Sequence, residues 1–217
     1  MTTKKKLLIT RPRHEATVEY LYYWSSEIIK FAKDHNLSVF DCSAENANQS
    51  NVCQYLEKMA PNFVVFNGHG SDKAILGHHD EEIIRSEYNE NLLKEKIVYA
   101  IACKTAAHLG KEACKNGTKA FIGYEQDFGF ITDTLWEGSP TKDALQEPFK
   151  EASNTVAFSI IKGNTAKEAF EKSQKKFDDL IKKYSSTNAS KENKEIRFWL
   201  FWDKIFQRII GDENATI

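Results

Sequence analysis

The chain has 217 residues, 41% of them hydrophobic, and sets 30 basic against 31 acidic side chains for a formal net charge of -1. That length suits a single domain, 1–217, around one sizeable core, and the even charge gives no overall attraction to nucleic acid or to an anionic membrane. The N-terminal MTTKKKLLIT is positive, but its apolar stretch is short and meets Arg11, Pro12 and Arg13, too soon for a signal peptide or a membrane span; a cytoplasmic protein is the expectation.

In chain order, KLLIT at 6–10 reads as the first strand and the segment from Ala16 to Asn36 as a helix, with Val18, Leu21, Tyr22, Ile28, Phe31 and Ala32 sharing a face. LSVFDC at 37–42 is the second strand. QSNVCQYLEKMA is a short helix capped by Ser50 or Asn51 and closed by Pro61, and FVVFN at 63–67 is a strand apolar enough to be central. The charged stretch 71–96 carries no strong strand signal and reads as loop with one or two short helices, suited to a lid. IVYAIA at 97–102 is the fourth strand and leads into a small-residue helix ended by Asn116 and Gly117. TKAFIGY at 118–124 is the fifth.

A long aromatic loop follows at 125–143, of the kind that often carries function. Two helices then flank Gly163-Asn164, the second capped by Thr165 with Glu168 three positions on. A polar connection at 185–194 leads to an aromatic helix, read as buried, and to a last strand, FQRII. Strands separated by helical stretches make an α/β fold with a largely parallel sheet of about six strands.

Two residues stand out for chemistry. His69 sits between Gly68 and Gly70, on a turn where the backbone bends sharply and leaves the imidazole exposed. Cys103 ends the next strand, with Lys104 beside it and a helix N-terminus expected just beyond, both favouring thiolate. In open α/β sheets ligands bind beyond the carboxyl ends of the strands, so neighbouring strands would bring His69 and Cys103 to one crevice. Cys42, Cys53 and Cys114 read as structural thiols, since neither disulfide density nor a C-x2-C zinc hook is present. His78 and His79 are the residues that would have to join His69 and Cys103 in a metal site; no second close pair of ligands supports one, so no metal and no cofactor are expected.

FNGHGS, then IVYAIACKTAAHLG, then FIGY, with KGNTAKEAFEKS and the closing IIGDENATI further on, resembles the caspase-like cysteine peptidases of the CHAT, clostripain and gingipain group over nearly the whole chain. The caspase signature Q-A-C-[RQG]-G is missing, because Ile101 precedes Ala102 and Lys104-Thr105 follow the cysteine. The resemblance implies a three-layer α/β/α sandwich and hydrolysis of peptide bonds by a Cys103–His69 dyad, with the N–H groups of Gly70 and Cys103 as oxyanion hole. It places the P1-binding residues near Arg11 and Arg13, around Ile101, and near Glu125 and Asp127; arginines suit an acidic P1 and carboxylates a basic one. The implied partners are a protein or peptide substrate and a separate regulator, as for a triggered protease of bacterial stress or antiviral defence. Three rivals remain open: a catalytically silent caspase-like binding module, a phosphate binder using the glycine turn, and a metal hydrolase around His69, His78 and His79.

Overall fold

The computed structural model describes residues 4–136 and 138–217. The elements are β1 (Lys6–Arg11), α1 (Ala16–Asp34), β2 (Ser38–Ser43), α2 (Gln49–Lys58), β3 (Phe63–Asn67), a hairpin of β4 (Ala74–Leu76) and β5 (Glu82–Arg85), β6 (Ile97–Ile101), α3 (Leu109–Lys115), β7 (Ala120–Tyr124), α4 (Glu147–Ile161), α5 (Ala166–Lys183), α6 (Lys191–Phe206) and β8 (Gln207–Gly211). The main sheet has six strands in the order β2-β1-β3-β6-β7-β8, all parallel except β8, which runs against β7.

Strand periodicity explains the layers. Leu7, Ile9, Phe63, Val65, Ile97 and Tyr99 face α1, α4, α5 and α6 in one core, whereas the intervening Leu8, Val64, Phe66, Val98 and Ala100 face α2, α3 and the β4–β5 hairpin in the other. A sheet covered on both faces needs near-continuous apolar strands, and β3, β6 and β7 are buried at every position. The result is the expected three-layer α/β/α sandwich.

Three local expectations need correcting. The stretch 71–96 is no lid: β4 and β5 form an antiparallel hairpin whose Ile75, Ile83 and Ile84 are buried in the second core. Its apolar runs, three residues in β4 and two in β5 on either side of the turn at 78–80, are too brief to show alternation. Asn48, two positions before Ser50, caps α2 by accepting from Asn51 N–H at 2.9 Å. α6 buries only Ile196, Leu200 and Asp203, leaving Phe198 and Phe201 about half exposed. The capping box of Thr165 and Glu168 on α5 is present as expected. No helix among the described residues is long and apolar enough to cross a membrane.

Candidate active site

The chain runs from β1 outward to β2 and then returns past β1 to β3, so the strand order reverses between β1 and β3. Open α/β sheets leave a crevice at such a switch, beyond the carboxyl ends of the strands. Three segments meet there: residues 12–15 after β1, 68–70 after β3, and 102–105 after β6.

The pairing of β3 with β6 matches Asn67 to Ile101, so the turns carrying His69 and Cys103 leave neighbouring strands at one level. Gly70 makes their contact close: a Cβ there would stand 2.8 Å from Cys103 O, 2.9 Å from Thr105 Cγ2 and 3.0 Å from Ala102 Cβ. Gly68, at φ +141°, needs glycine for conformation as well, and a Cβ would meet Pro12 and Leu76 O, both at 2.9 Å. Gly70 faces Ile75 as a non-hydrogen-bonded pair. The flanking bonds are Leu76 N–H to His69 O and Ser71 N–H to Ala74 O, which leaves the N–H of Gly70 outside that ladder.

His69 has a partner that the sequence did not single out. Glu15 is the N-cap of α1, in extended conformation, and its Oε1 accepts from Val18 N–H at 3.1 Å. The same oxygen lies 3.0 Å from His69 Nε2. If Nε2–H is donated to the carboxylate, the neutral ring keeps its lone pair on Nδ1.

Cys103 differs from expectation in its surroundings. α3 begins only at Leu109; Cys103 sits on a turn in which Lys104 adopts a left-handed φ of 60° and donates its N–H to Gln126 O. No helix dipole therefore reaches the thiol. Burial pushes the thiol pKa up, and the Asp127 carboxylate adds to the rise, against the opposing effects of Phe128 O and Lys104. Sγ makes a weak contact with Phe128 O at 4.0 Å. All four cysteines are free; burial raises Cys42 to about 12 and Cys114 to about 11.

The aromatic loop after β7 closes over this region because α6 holds it. Trp202 Nε1–H donates to Asp127 O at 2.8 Å, and Asp203 Oδ1 accepts from Gly129 N–H at 2.9 Å. Between the loop and the start of α1 lies a cavity of about 310 Å³ lined by Thr17, Tyr20, Phe128, Gly129, Phe130 and Trp199, among others, none of them charged.

Each of the four charged P1 candidates has a partner within the chain. Arg11, buried, donates Nε–H to Asp41 Oδ1 at 2.9 Å and lies over the Tyr22 ring. Arg13 pairs with Glu19 at 2.8 Å, Glu125 with Arg208 at 2.9 Å, and Asp127 with Lys104 at 3.2 Å. Asp127 is the one of the four that acts electrostatically on Cys103.

As for metal ligands, the potential donor atoms of His14, His69 and Asp80 lie within 4.8 Å of one another. Cys103 is outside that group. His78 and His79 stand beside it, their rings 5.2 and 5.5 Å from that of His14.

No protein-family model matches the chain, and no curated protein matches it in sequence. Solved structures do. The crystal structure of the Arg-specific cysteine proteinase gingipain R matches with a TM-score of 0.64 and 12% identity, over 98% of this chain and 47% of that one. The complex of the pro- and mature domains of Porphyromonas gingivalis RgpB matches with a TM-score of 0.59 and 12% identity, over 98% of this chain and 48% of that one. The chain thus spans about half the length of the solved chains it matches. At this identity the likeness is one of architecture: the chain has a caspase-like fold, similar to that of the gingipain cysteine proteinases.

Proposed function

We propose that the chain is a cysteine endopeptidase in which Cys103 is the nucleophile and His69 its base. The observation that carries this reading is the packing of the Gly70 turn onto the Cys103 carbonyl, which sets the imidazole turn and the thiol turn against each other at the switch-point crevice. Glu15 joins as the positioning residue of His69.

The steps follow from the groups. His69 Nδ1 takes the proton of Cys103 Sγ–H, and the thiolate attacks the scissile carbonyl carbon, forming a C–S bond. The carbonyl oxygen, now anionic, accepts from the N–H groups of Gly70 and Cys103. His69 returns the proton to the leaving amine as the C–N bond breaks, and water hydrolyses the thioester. A thiol raised by burial suits a resting enzyme, neutral until the imidazole can take its proton.

Uncharged P1 side chains fit best. The cavity beside Phe128 has no charged wall, and Arg11, Arg13, Glu125 and Asp127 already have partners. The resemblance to the CHAT group supplies the wider part of the proposal: a triggered cytoplasmic protease of bacterial stress or defence, answering to a separate regulator.

The raised thiol pKa also favours a second reading, a caspase-like module that binds without cutting. Peptidyl electrophiles with an uncharged P1 separate the two. On the enzyme reading they label Cys103 faster than Cys42, Cys53 or Cys114, and His69→Ala removes that preference. Equal labelling of the accessible thiols in both proteins counts for the silent module.

A further inference from the structure

Four of the chain's six histidines, His14, His69, His78 and His79, gather at the switch-point crevice, where peptide hydrolysis by a dyad has use for one. They come from three separate segments: His14 follows β1, His69 follows β3, and His78 and His79 lie with Asp80 in the turn of the β4–β5 hairpin. The donor atoms of His14, His69 and Asp80 converge within 4.8 Å.

His14 is the anomaly. Its side chain is only 7% exposed, and neither ring nitrogen has a hydrogen-bond partner among the described residues. A buried imidazole left without partners loses the free energy of hydration with nothing in return. Its Nε2 stands 3.4 Å from Asp80 Oδ1, without the geometry of a hydrogen bond. That separation is the edge of a tetrahedron around zinc, about 3.4 Å for ligands roughly 2.1 Å from the ion.

We propose that His14, His69 and Asp80 form a binding site for a divalent transition-metal ion of the zinc class. Two imidazoles and one carboxylate suit Zn2+ or Co2+; Ca2+ and Mg2+ prefer sets made wholly of oxygen. Three protein ligands leave a fourth position for water. The Glu15 carboxylate, 3.0 Å from His69 Nε2, is placed to orient that ring as an outer-shell partner.

The consequence for activity rests on the peptidase reading. A neutral imidazole has one lone pair, and a metal-bound His69 has none left for the Cys103 proton. The ion therefore acts as a reversible inhibitor, and its release switches the dyad on.

The test is titration of the metal-free full chain with Co2+ and with Zn2+, followed by d–d absorption and calorimetry. One ion binds per chain, with bands of a low-coordinate N/O site and no thiolate-to-cobalt charge transfer. His14→Ala and Asp80→Asn each weaken binding by more than the roughly tenfold to hundredfold that loss of an outer-shell partner costs, and Cys103→Ser leaves affinity and spectrum as they are. Asp80 is exposed, so its variant reads out the site even if loss of the buried His14 disturbs folding. Absence of stoichiometric binding, unchanged affinity in Asp80→Asn, or a charge-transfer band abolished by Cys103→Ser overturns the proposal. The peptidase reading is judged separately: binding with these signatures in a chain that cuts no peptide keeps the metal site and removes the enzyme, whereas a chain that cuts peptides equally with and without Zn2+ keeps the enzyme and removes the switch.

Discussion

Glu15 Oε1 and His69 Nε2 meet at 3.0 Å, joining the cap of α1 to the turn after β3. One oxygen thus ends a helix and orients the imidazole, so its loss has two separable effects. Glu15→Ala lowers stability by about 1 kcal/mol through the cap and lowers kcat about tenfold by freeing the ring, a part of the roughly 10²–10⁴-fold that acid–base catalysis supplies. Glu15→Gln keeps a capping oxygen and restores most of the stability. Its kcat/KM still falls, because a neutral amide gives the imidazolium that forms during the reaction a weaker hydrogen bond than a carboxylate does. Stability and kcat/KM of the two variants check this; a kcat/KM indifferent to both substitutions would mean that Glu15 is only a cap.

Gly70→Ala tests the contact between the two turns. The added Cβ meets Cys103 O at 2.8 Å, so either the His69 turn or the Cys103 turn must yield. The expected cost is about 1–3 kcal/mol of stability, with a loss of peptide cleavage larger than the fraction unfolded explains. Chemical denaturation and activity at a temperature where the variant stays folded measure both.

How much of this was legible in the sequence follows from where the signals lie. The strands β3, β6 and β7 are continuous apolar runs, which only burial on both faces explains, and the sheet followed from them. His69 and Cys103 could be picked out because each ends such a run. The rule that found them, ligands beyond the carboxyl ends of strands, applies equally to β1, and there it points to RPRHE and to His14 and Glu15. Their part in the site is not readable from sequence, because the order of β1 and β3 in the sheet decides which strand ends share a crevice, and periodicity does not encode order. Asp80 was hidden for another reason: the hairpin that delivers it has strands of three and four residues, below the length at which alternation is readable. The aromatics of α6 read as core from their composition. Trp199 instead lines the cavity and Trp202 bonds the backbone of Asp127, so the composition was right about apolar contact and silent about which surface received it.

Asp203 gives a pH signature. Its carboxyl is fully buried; Oδ1 accepts from Gly129 N–H, Oδ2 has no partner among the described residues, and burial pushes its pKa well above the ordinary carboxyl range. The folded protein holds a proton there that the unfolded chain releases near pH 3.9 or so. The stability gained in acid is lost as pH rises from that point through the raised folded value. Asp203→Asn keeps an acceptor for Gly129 and does not titrate. The variant gains on the wild type as pH rises, by about 1–3 kcal/mol at neutrality, the cost of an unsatisfied buried polar group. Denaturation midpoints of both proteins from about pH 4 to pH 8 read the difference; a gap that shrinks with pH contradicts it.

The cavity beside Phe128 predicts selectivity. Peptides with an aliphatic or aromatic P1 are cut faster than those with Arg, Lys, Asp or Glu, and Trp199→Ala broadens the preference toward larger side chains. Burying an unpaired charge against those walls costs more than an apolar contact returns. Ranking kcat/KM across single-residue P1 variants of one peptide decides the point, and a leading Arg or Lys would instead implicate Asp127 or Glu125.

The central claim is that Cys103 and His69 together break peptide bonds. A peptide library diverse at P1, incubated with the wild type, Cys103→Ala and His69→Ala and read by mass spectrometry, tests it most directly. The account predicts cleavage by the wild type at a restricted set of bonds and its disappearance in both variants, each still folded. Cleavage that survives the loss of Cys103, or a metal-free wild type that cuts no bond in the library, contradicts it.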